Sequence, residues 1–554
     1  MPCFRAARIE PPSRILYPCP IPRTRRALQN EAEVNVVIRI LSMLGAWAAL
    51  MVAEANDLGP GGEAVLKQTT PATFGAPNSE PTPLGEPLAP RKKAWENAAG
   101  GEVAARPLIK NRLGGWPSVA LVDGKSLPRD NREFLARIAA DTWRGLDALT
   151  DQAHGLPLDR IEFRNGSVAA ETTRIGDYTS VTNIGFHFLA VAAAHELKLV
   201  SREQALERLA ATLTALESLE SYRGFFYNYY NTTTLERTSD FISFVDSSWL
   251  TAGLMVARQA FPELAPRCAK LLDREDYRFF YDEEFKLMSH GYHVPLRTRS
   301  AYHYGVFYAE SRVGSLIAIA RGDVPEEHWF RMARTFPPEI HWQSRPPLGR
   351  AEQSANGFQW IGGHYHWRGY DYVPSWGGSL FEALMPRLVL DEAQYAPHSL
   401  GRNGAIHTAI QRQYAREDLG YPVWGMSPSS TPGSGLYEEY GARMLGTAGY
   451  KSGVVTPHAA ALALLAEPEA AAANLGKLAE LFPVYGDFGF YDAVNPKTGE
   501  VSHNYLCLNQ AMILVALADH LADHAIQKLF AADPGIQRVL PLLGIERFAV
   551  GNPP

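Results

Sequence analysis

The feature that most constrains this chain is a helical spacing of apolar residues that returns, stretch after stretch, from about Asn131 to about Ala522. Arg132 to Leu149 carries Phe134, Leu135, Ile138, Trp143 and Leu146 on one face. Thr182 to Leu199 is almost wholly apolar, which predicts a buried helix. Ser201 opens the next helix, with Gln204 three residues on as a capping partner. Further helices are predicted over Ser247–Phe261, Ala301–Arg321, Glu326–Arg334, Ser379–Leu388, Arg402–Glu417, Pro457–Ala466, Glu467–Leu481 and Asn504–Ala522. Strand signals are few and short. About twelve helices, separated by loops rich in aromatics, Gly and Asp, predict an all-α (α/α)6 barrel, a toroid of paired helices around a central cleft.

The first hundred residues read differently. Ile40 to Ala53 is a short apolar run with Arg39 before it and Ala53-Glu54-Ala55 after it, the pattern of a signal peptide with its cleavage site. The run is shorter than the roughly 20 apolar residues a membrane-spanning helix requires. A translation start near Val34 to Val37 would suit it better than Met1. Asn56 to about Pro107 is rich in Pro, Gly, Ala and Thr and reads as a flexible, disordered tether. The expected layout is an extension and signal over 1–55, a linker over 56–107 and one catalytic domain over 108–554, in a periplasmic or secreted protein with no stable membrane span in the mature chain.

Composition narrows the partners. The formal net charge is -6 and no basic stripe stands out, which argues against nucleic acid. Aromatics make up 11% of the chain, and flat rings pack on the apolar faces of sugars, so an oligo- or polysaccharide is the natural partner. Of the four cysteines, Cys268 and Cys507 lie in the body of the chain, either as a pair or as two buried thiols. His364-Tyr-His-Trp-Arg-Gly-Tyr-Asp371 has two histidines and an aspartate at close spacing. No second cluster completes a ligand set, so no metal and no cofactor are expected, and a stacking loop at a sugar subsite is the better reading.

A series of segments in chain order resembles the glycoamylase-like family, which includes bacterial endo-β-1,2-glucanases and the cyclising domain of cyclic β-1,2-glucan synthases. The segments are Thr179-Ser-Val-Thr-Asn-Ile-Gly185, Gly224-Phe-Phe-Tyr-Asn-Tyr-Tyr230, Val245-Asp-Ser-Ser248 and Ala309-Glu-Ser-Arg312. They continue with Ala318 to Pro325, His328-Trp-Phe330, Gly378-Ser-Leu-Phe-Glu-Ala-Leu-Met-Pro386, Val455-Thr-Pro-His-Ala459 and Gly489-Phe-Tyr-Asp-Ala493. The resemblance covers about residues 131 to 530 and implies an (α/α)6 barrel acting on a β-linked glucan.

Glycoside hydrolysis needs one carboxylic acid to protonate the leaving oxygen and one carboxylate to act on water or on the anomeric carbon. Glu310 lies among Tyr302, Tyr304, Phe307 and Tyr308, surroundings that raise a carboxyl pKa. The resemblance implies that it is the acid, against the alternative of a buried salt bridge to Arg312. Asp492 sits in a loop, where the inverting relatives place the base, against the alternative of a turn or capping aspartate. Glu382 falls in an otherwise apolar helix after the Pro374-Ser-Trp376-Gly-Gly loop. Glu382, Trp376, Trp424, Asp246 and Asp141 are candidates for substrate contact, as are Tyr302 and His303.

One departure from the family matters. Where the cyclising relatives carry a glutamate nucleophile, this chain reads Trp424-Gly-Met-Ser-Pro428-Ser429. Proline cannot attack an anomeric carbon. The expectation is therefore an inverting hydrolase of β-linked, in particular β-1,2-linked, glucan, with the two carboxyls about 6.5–9.5 Å apart. Glu438 or Glu439 would be the substitute nucleophile if the reaction retained configuration. The rival readings are a polysaccharide lyase using Tyr302 or His303 as base, and a non-catalytic glycan-binding protein of the periplasm.

Overall fold

The computed structural model describes residues 109–550 apart from 164, 165, 342 and 344. The signal pattern at 40–55, the linker at 56–107, Cys3 and Cys19 lie outside the described residues.

The long apolar stretches become helices within a few residues of their expected ends. They are α1 (Asn131–Ala148), α2 (Val181–Glu196), α3 (Arg202–Ser218), α4 (Phe244–Ala260), α5 (Ala265–Leu272), α6 (Arg312–Ala320), α7 (Glu327–Arg331), α8 (Leu380–Leu384), α9 (Glu392–Tyr395), α10 (Leu400–Gln413), α11 (Pro457–Leu462), α12 (Pro468–Leu481), α13 (Cys507–Leu521), α14 (Ala525–Ala531) and α15 (Pro534–Leu543). The Ser201–Gln204 capping box forms as expected. The helix expected over Ala301–Arg321 is shorter. Its first half is loop, with bridges from His303 to Ser289 and from Val306 to Ala333, and helix begins only at Arg312.

The helices pack in a closed sequence of contacts. α2 packs on α4, α4 on α6, α8 on α11, α11 on α13 and α13 back on α2, while Arg312 of α6 bonds to the carbonyls of Glu382 and Ala383 in α8. α1, α3, α5, α10, α12 and α15 each pack against one member of this set. The tightest crossing joins α2 and α4 through two glycines. A Cβ on Gly185 would lie 2.3 Å from the Trp249 carbonyl oxygen, and one on Gly253 would lie 2.3 Å from the Gly185 carbonyl oxygen. Buried side chains from nearly every helix merge into one dominant core cluster.

The all-α expectation needs amending, because short strands are present throughout. They run two to four residues, in antiparallel ribbons of two or three strands. Several lead directly into helices: Tyr178–Ser180 into α2, Phe241–Ser243 into α4 and Asn504–Leu506 into α13. Elements of two or three residues are too short to print an alternating pattern on the sequence.

At the junction of α6, α8 and α9 lies a fully buried ion pair. Arg312 donates Nε–H to Glu392 at 2.7 Å and a second bond to its other oxygen at 3.1 Å, with neither side chain exposed. Its remaining donors reach the carbonyls of Ala309, Glu382 and Ala383 at 2.7–2.9 Å. Removing one charge strands the other, which costs about 3–5 kcal/mol. Glu392→Gln is expected to lower the unfolding free energy by that order in urea titration. A loss below about 1 kcal/mol would show that this junction is not a fixed point.

Candidate active site

The first turns of the central helices meet at one end of the bundle. Ser180 caps α2 and Ser243 caps α4. Thr182, in the first turn of α2, donates its hydroxyl to Asp246 in the first turn of α4. The charge of Asp246 is felt by Glu310, just before α6, as is that of Glu382 in the first turn of α8. The carboxyl groups of Asp246, Glu310 and Glu382, at the starts of α4, α6 and α8, thus stand close enough for their charges to act on one another.

Glu310 stands on the turn before α6 and is partly open to the cleft between them. Burial against its surroundings raises its carboxyl to about 7, and the negative charges of Glu382 and Asp246 push the same way. Arg312, the salt-bridge partner that sequence allowed, is committed to Glu392, and its charge opposes the rise without cancelling it. Glu310 is therefore a carboxyl group that holds a proton near neutral pH.

Asp492 is 1% exposed, in a bend of the loop before α13. One oxygen accepts from the backbone N–H of Ser430 at 2.6 Å and from its hydroxyl at 2.5 Å. The other accepts from Asn509 of α13 at 2.6 Å. Burial raises its pKa, and these three donors oppose the rise by stabilising the charged form. The residue caps no helix. It ties the Ser429–Ser430 strand to α13.

The other expected residues divide. Asp246 and Glu382 join the cleft. Glu382 forms a capping box with Ser379 and accepts from the N–H groups of Gly377 and Ser379 and from the hydroxyls of Ser375 and Ser379, at 2.8–3.2 Å. Trp376, half-buried, lies next to Gly377 and packs against Val306, Phe336 and Ile340. Tyr302 is half-buried beside Ser300. His303 turns to Asp282, at 3.0 Å, and stacks on Phe285. Trp424 is core, its backbone clasped by Asn474. Asp141 is held by Arg137, Arg144 and Tyr485 at 2.7–3.0 Å, and none of these is a group that acts on Glu310.

Sequence reasoning missed part of the cleft. Tyr437, in the strand paired with Ser429–Ser430, feels the charges of Asp492, Glu439, Asp159 and Glu310. Tyr450 feels those of Glu382, Glu439 and Glu310, and Tyr304 those of Glu310 and Asp246. Each phenol is pushed well up by burial. Tyr437 is nevertheless 47% exposed, so it is not a core side chain. Tyr437 lies in a Gly-Ser-rich stretch with no periodicity, so only its aromatic character could have marked it.

Glu438 and Glu439, considered together from sequence, separate in space. Glu438 pairs with Lys451 at 2.6 Å and accepts from Thr431 and Tyr440, which lowers its pKa. Glu439 acts on the cleft tyrosines. His364–Asp371 forms a hairpin in which His366 meets Asp371 at 2.7 Å. Cys268 and Cys507 are buried free thiols.

Comparison with known proteins agrees with this picture. Residues 350–534 match the family model Glycoamylase, described as "Putative glucoamylase". The chain is 30% identical over 301 residues, 52% of its length, to the cyclic β-(1,2)-glucan synthase NdvB of Rhizobium meliloti, spanning 10% of that protein. It is 22% identical over 447 residues, 75% of its length, to an exo β-1,2-glucooligosaccharide sophorohydrolase of Parabacteroides distasonis, spanning 58% of it. The chain thus spans less than two thirds of either curated relative. In fold it is similar to the endo-β-1,2-glucanase of Chitinophaga pinensis solved with sophorotriose and glucose. The TM-score is 0.59 at 18% identity, covering 77% of this chain and all of that one. The resemblance to the glycoamylase-like family read from the motifs holds.

Glu310 also gives a signature in stability. Its folded pKa of about 7 exceeds the 4.5 of the free group, so between these values the folded chain binds more protons than the unfolded one. Stability then falls as pH rises through that window and is level above it. Glu310→Gln has no proton to lose. It is expected to gain about 1–3 kcal/mol over wild type between pH 4 and 8, measured by urea unfolding at each pH. A difference that does not change with pH would reject the raised pKa.

Proposed function

We propose that this chain is a glycoside hydrolase cleaving β-linked glucan, in particular β-1,2-glucan, with inversion at the anomeric carbon. The observation that carries the reading is the contrast between two acids of one cleft. Glu310 forms no ion pair among the described residues and its pKa is raised to about 7, whereas Asp492, although burial raises it too, is clamped by three donors that favour its charge. Glu310 gives its proton to the glycosidic oxygen as that bond breaks. Water bonds to the anomeric carbon from the opposite face, and its proton goes to Asp492. In this reading Asp246 and Trp376 meet sugar hydroxyls and rings, while Glu382 is held within its own capping loop. The closed sequence of central helices, each backed by an outer one, supports an (α/α)6 toroid as the scaffold. The names of the relatives above, synthase, exo-hydrolase and endo-glucanase alike, support β-1,2-linked glucose as the substrate.

Pro428 favours inversion over retention, since no carboxylate stands where the cyclising relatives carry theirs, and Glu438 is spent on Lys451. The lyase reading weakens because His303 is buried against Asp282.

Linear β-1,2-glucan incubated with the purified protein is expected to release new reducing ends, with the α-anomer formed first by proton NMR. A β-anomer formed first would return attention to Glu439. An unsaturated product would mean a lyase, and binding without turnover a glycan-binding protein. Glu310→Gln is expected to lose at least about 100-fold in kcat with its fold intact. The alkaline limb of kcat/KM should fall near pH 7, as Glu310 loses its proton.

We also place the protein outside the cytoplasm, with 1–55 removed and 56–107 as a tether, on the strength of the Arg39 to Ala55 pattern. Mass spectrometry of native material should find a mature N-terminus near Asn56. An N-terminus upstream of Val34 would reject the export reading.

A further inference from the structure

We infer that Tyr437 is a catalytic residue, its phenol carrying the proton of the attacking water to Asp492. This role rests on the hydrolytic reading above and adds a group to it.

The argument starts from access. Asp492 is 1% exposed, one oxygen is covered by both donors of Ser430, and the other is met by Asn509. A carboxylate so enclosed is well placed to receive a proton and poorly placed to touch water on a sugar in the open cleft. Something exposed must stand between them.

Backbone pairing puts Tyr437 in that place. The ribbon Ser429–Ser430 runs antiparallel to Tyr437–Glu438, with Ser430 directly opposite Tyr437. Directly opposed residues project from the same face of a ribbon, with Cβ atoms about 4.5–5.5 Å apart. Ser430 is the residue whose hydroxyl reaches Asp492. The Tyr437 side chain therefore leaves the ribbon on the side where Asp492 sits, and among the charges that act on it Asp492 is the strongest. Glu310 acts on it as well, so the ring stands in the space that the two acids share. Tyr437 is 47% exposed.

The chemistry follows from a phenol that stays neutral. Burial and the surrounding carboxylates push its pKa well above the usual phenol range, so at working pH it holds one proton to give and lone pairs to receive another. As the water oxygen bonds to the anomeric carbon, its proton passes to the Tyr437 oxygen. The phenol's own proton passes to Asp492, directly or across one bridging water, while Glu310 protonates the departing oxygen. One water is consumed, Glu310 loses a proton, Asp492 gains one, and Tyr437 ends as it began.

Tyr437→Phe keeps the ring and removes only the hydroxyl at a half-exposed position, so its melting temperature should match wild type. On β-1,2-glucan we expect kcat to fall at least about tenfold, with KM within about threefold. The wild-type rate in mixtures of light and heavy water should curve with deuterium content, as for more than one proton in flight, and the variant should give a straight line. A kcat within threefold of wild type, or a loss confined to KM, would overturn the relay and leave the hydrolase intact. Wild type that turns over no glucan would overturn the hydrolase reading and this role with it.

Discussion

The site depends on where one buried guanidinium spends its five hydrogen bonds. Arg312 opens α6, and each of its N–H groups meets an acceptor: two go to Glu392, one to the carbonyl of Ala309 just before Glu310, and two to carbonyls in α8. The cost of burying the cation is met by a partner outside the cleft. Had Arg312 turned to Glu310, two residues before it, that carboxyl would have been held ionised and unable to donate a proton. By closing on Glu392 instead, Arg312 ties the loop at Ala309 to α8 and leaves Glu310 to the raising influence of burial and of its acidic neighbours. The same pair thus joins α6, α8 and α9 and sets the protonation state of the site.

Three carboxyl groups around the cleft differ through their hydrogen bonds rather than their chemistry. Glu382 is saturated by donors of its own capping loop, which suits it to hold the Ser375–Ser379 turn in shape. Asp492 takes three donors from two elements and is the bolt between the Ser430 ribbon and α13. Glu310 has neither arrangement. Burial raises all three, and the donors around Glu382 and Asp492 offset the rise by favouring the charged form, which leaves Glu310 the acid of the set.

How much of this was legible depended on length. α1, α2, α3, α12 and α13 each carry an apolar face or an apolar body over fourteen residues or more, and their bounds came within about three residues. The stretch 301–311 misled for a physical reason. Its aromatic residues fall at intervals that fit a helix, yet they are drawn into single bridges with Ser289 and Ala333 and so form the loop that presents Glu310. Asp141 misled in the opposite way: an aspartate next to a tryptophan and an arginine reads as a binding motif, but Arg137 one turn back and Tyr485 far along the chain complete an ion cluster. Tyr437 was hidden because nothing local marks it. It is brought toward Asp492 only through pairing with Ser429–Ser430, a contact of two residues on each side.

Pro428 has a structural part in the same region. It is buried between Ser427, whose hydroxyl accepts the first free N–H of α8 from Phe381, and the Ser429–Ser430 strand. Proline disfavours a helical conformation in the residue before it and fixes its own backbone, so it steers Ser427 toward extended geometry and feeds straight into the strand. That strand must be in register for Ser430 to hold Asp492 with both backbone and hydroxyl, and for Tyr437 to stand opposite. The rigid proline ring stiffens the ribbon on which both the enclosed carboxylate and the exposed phenol depend.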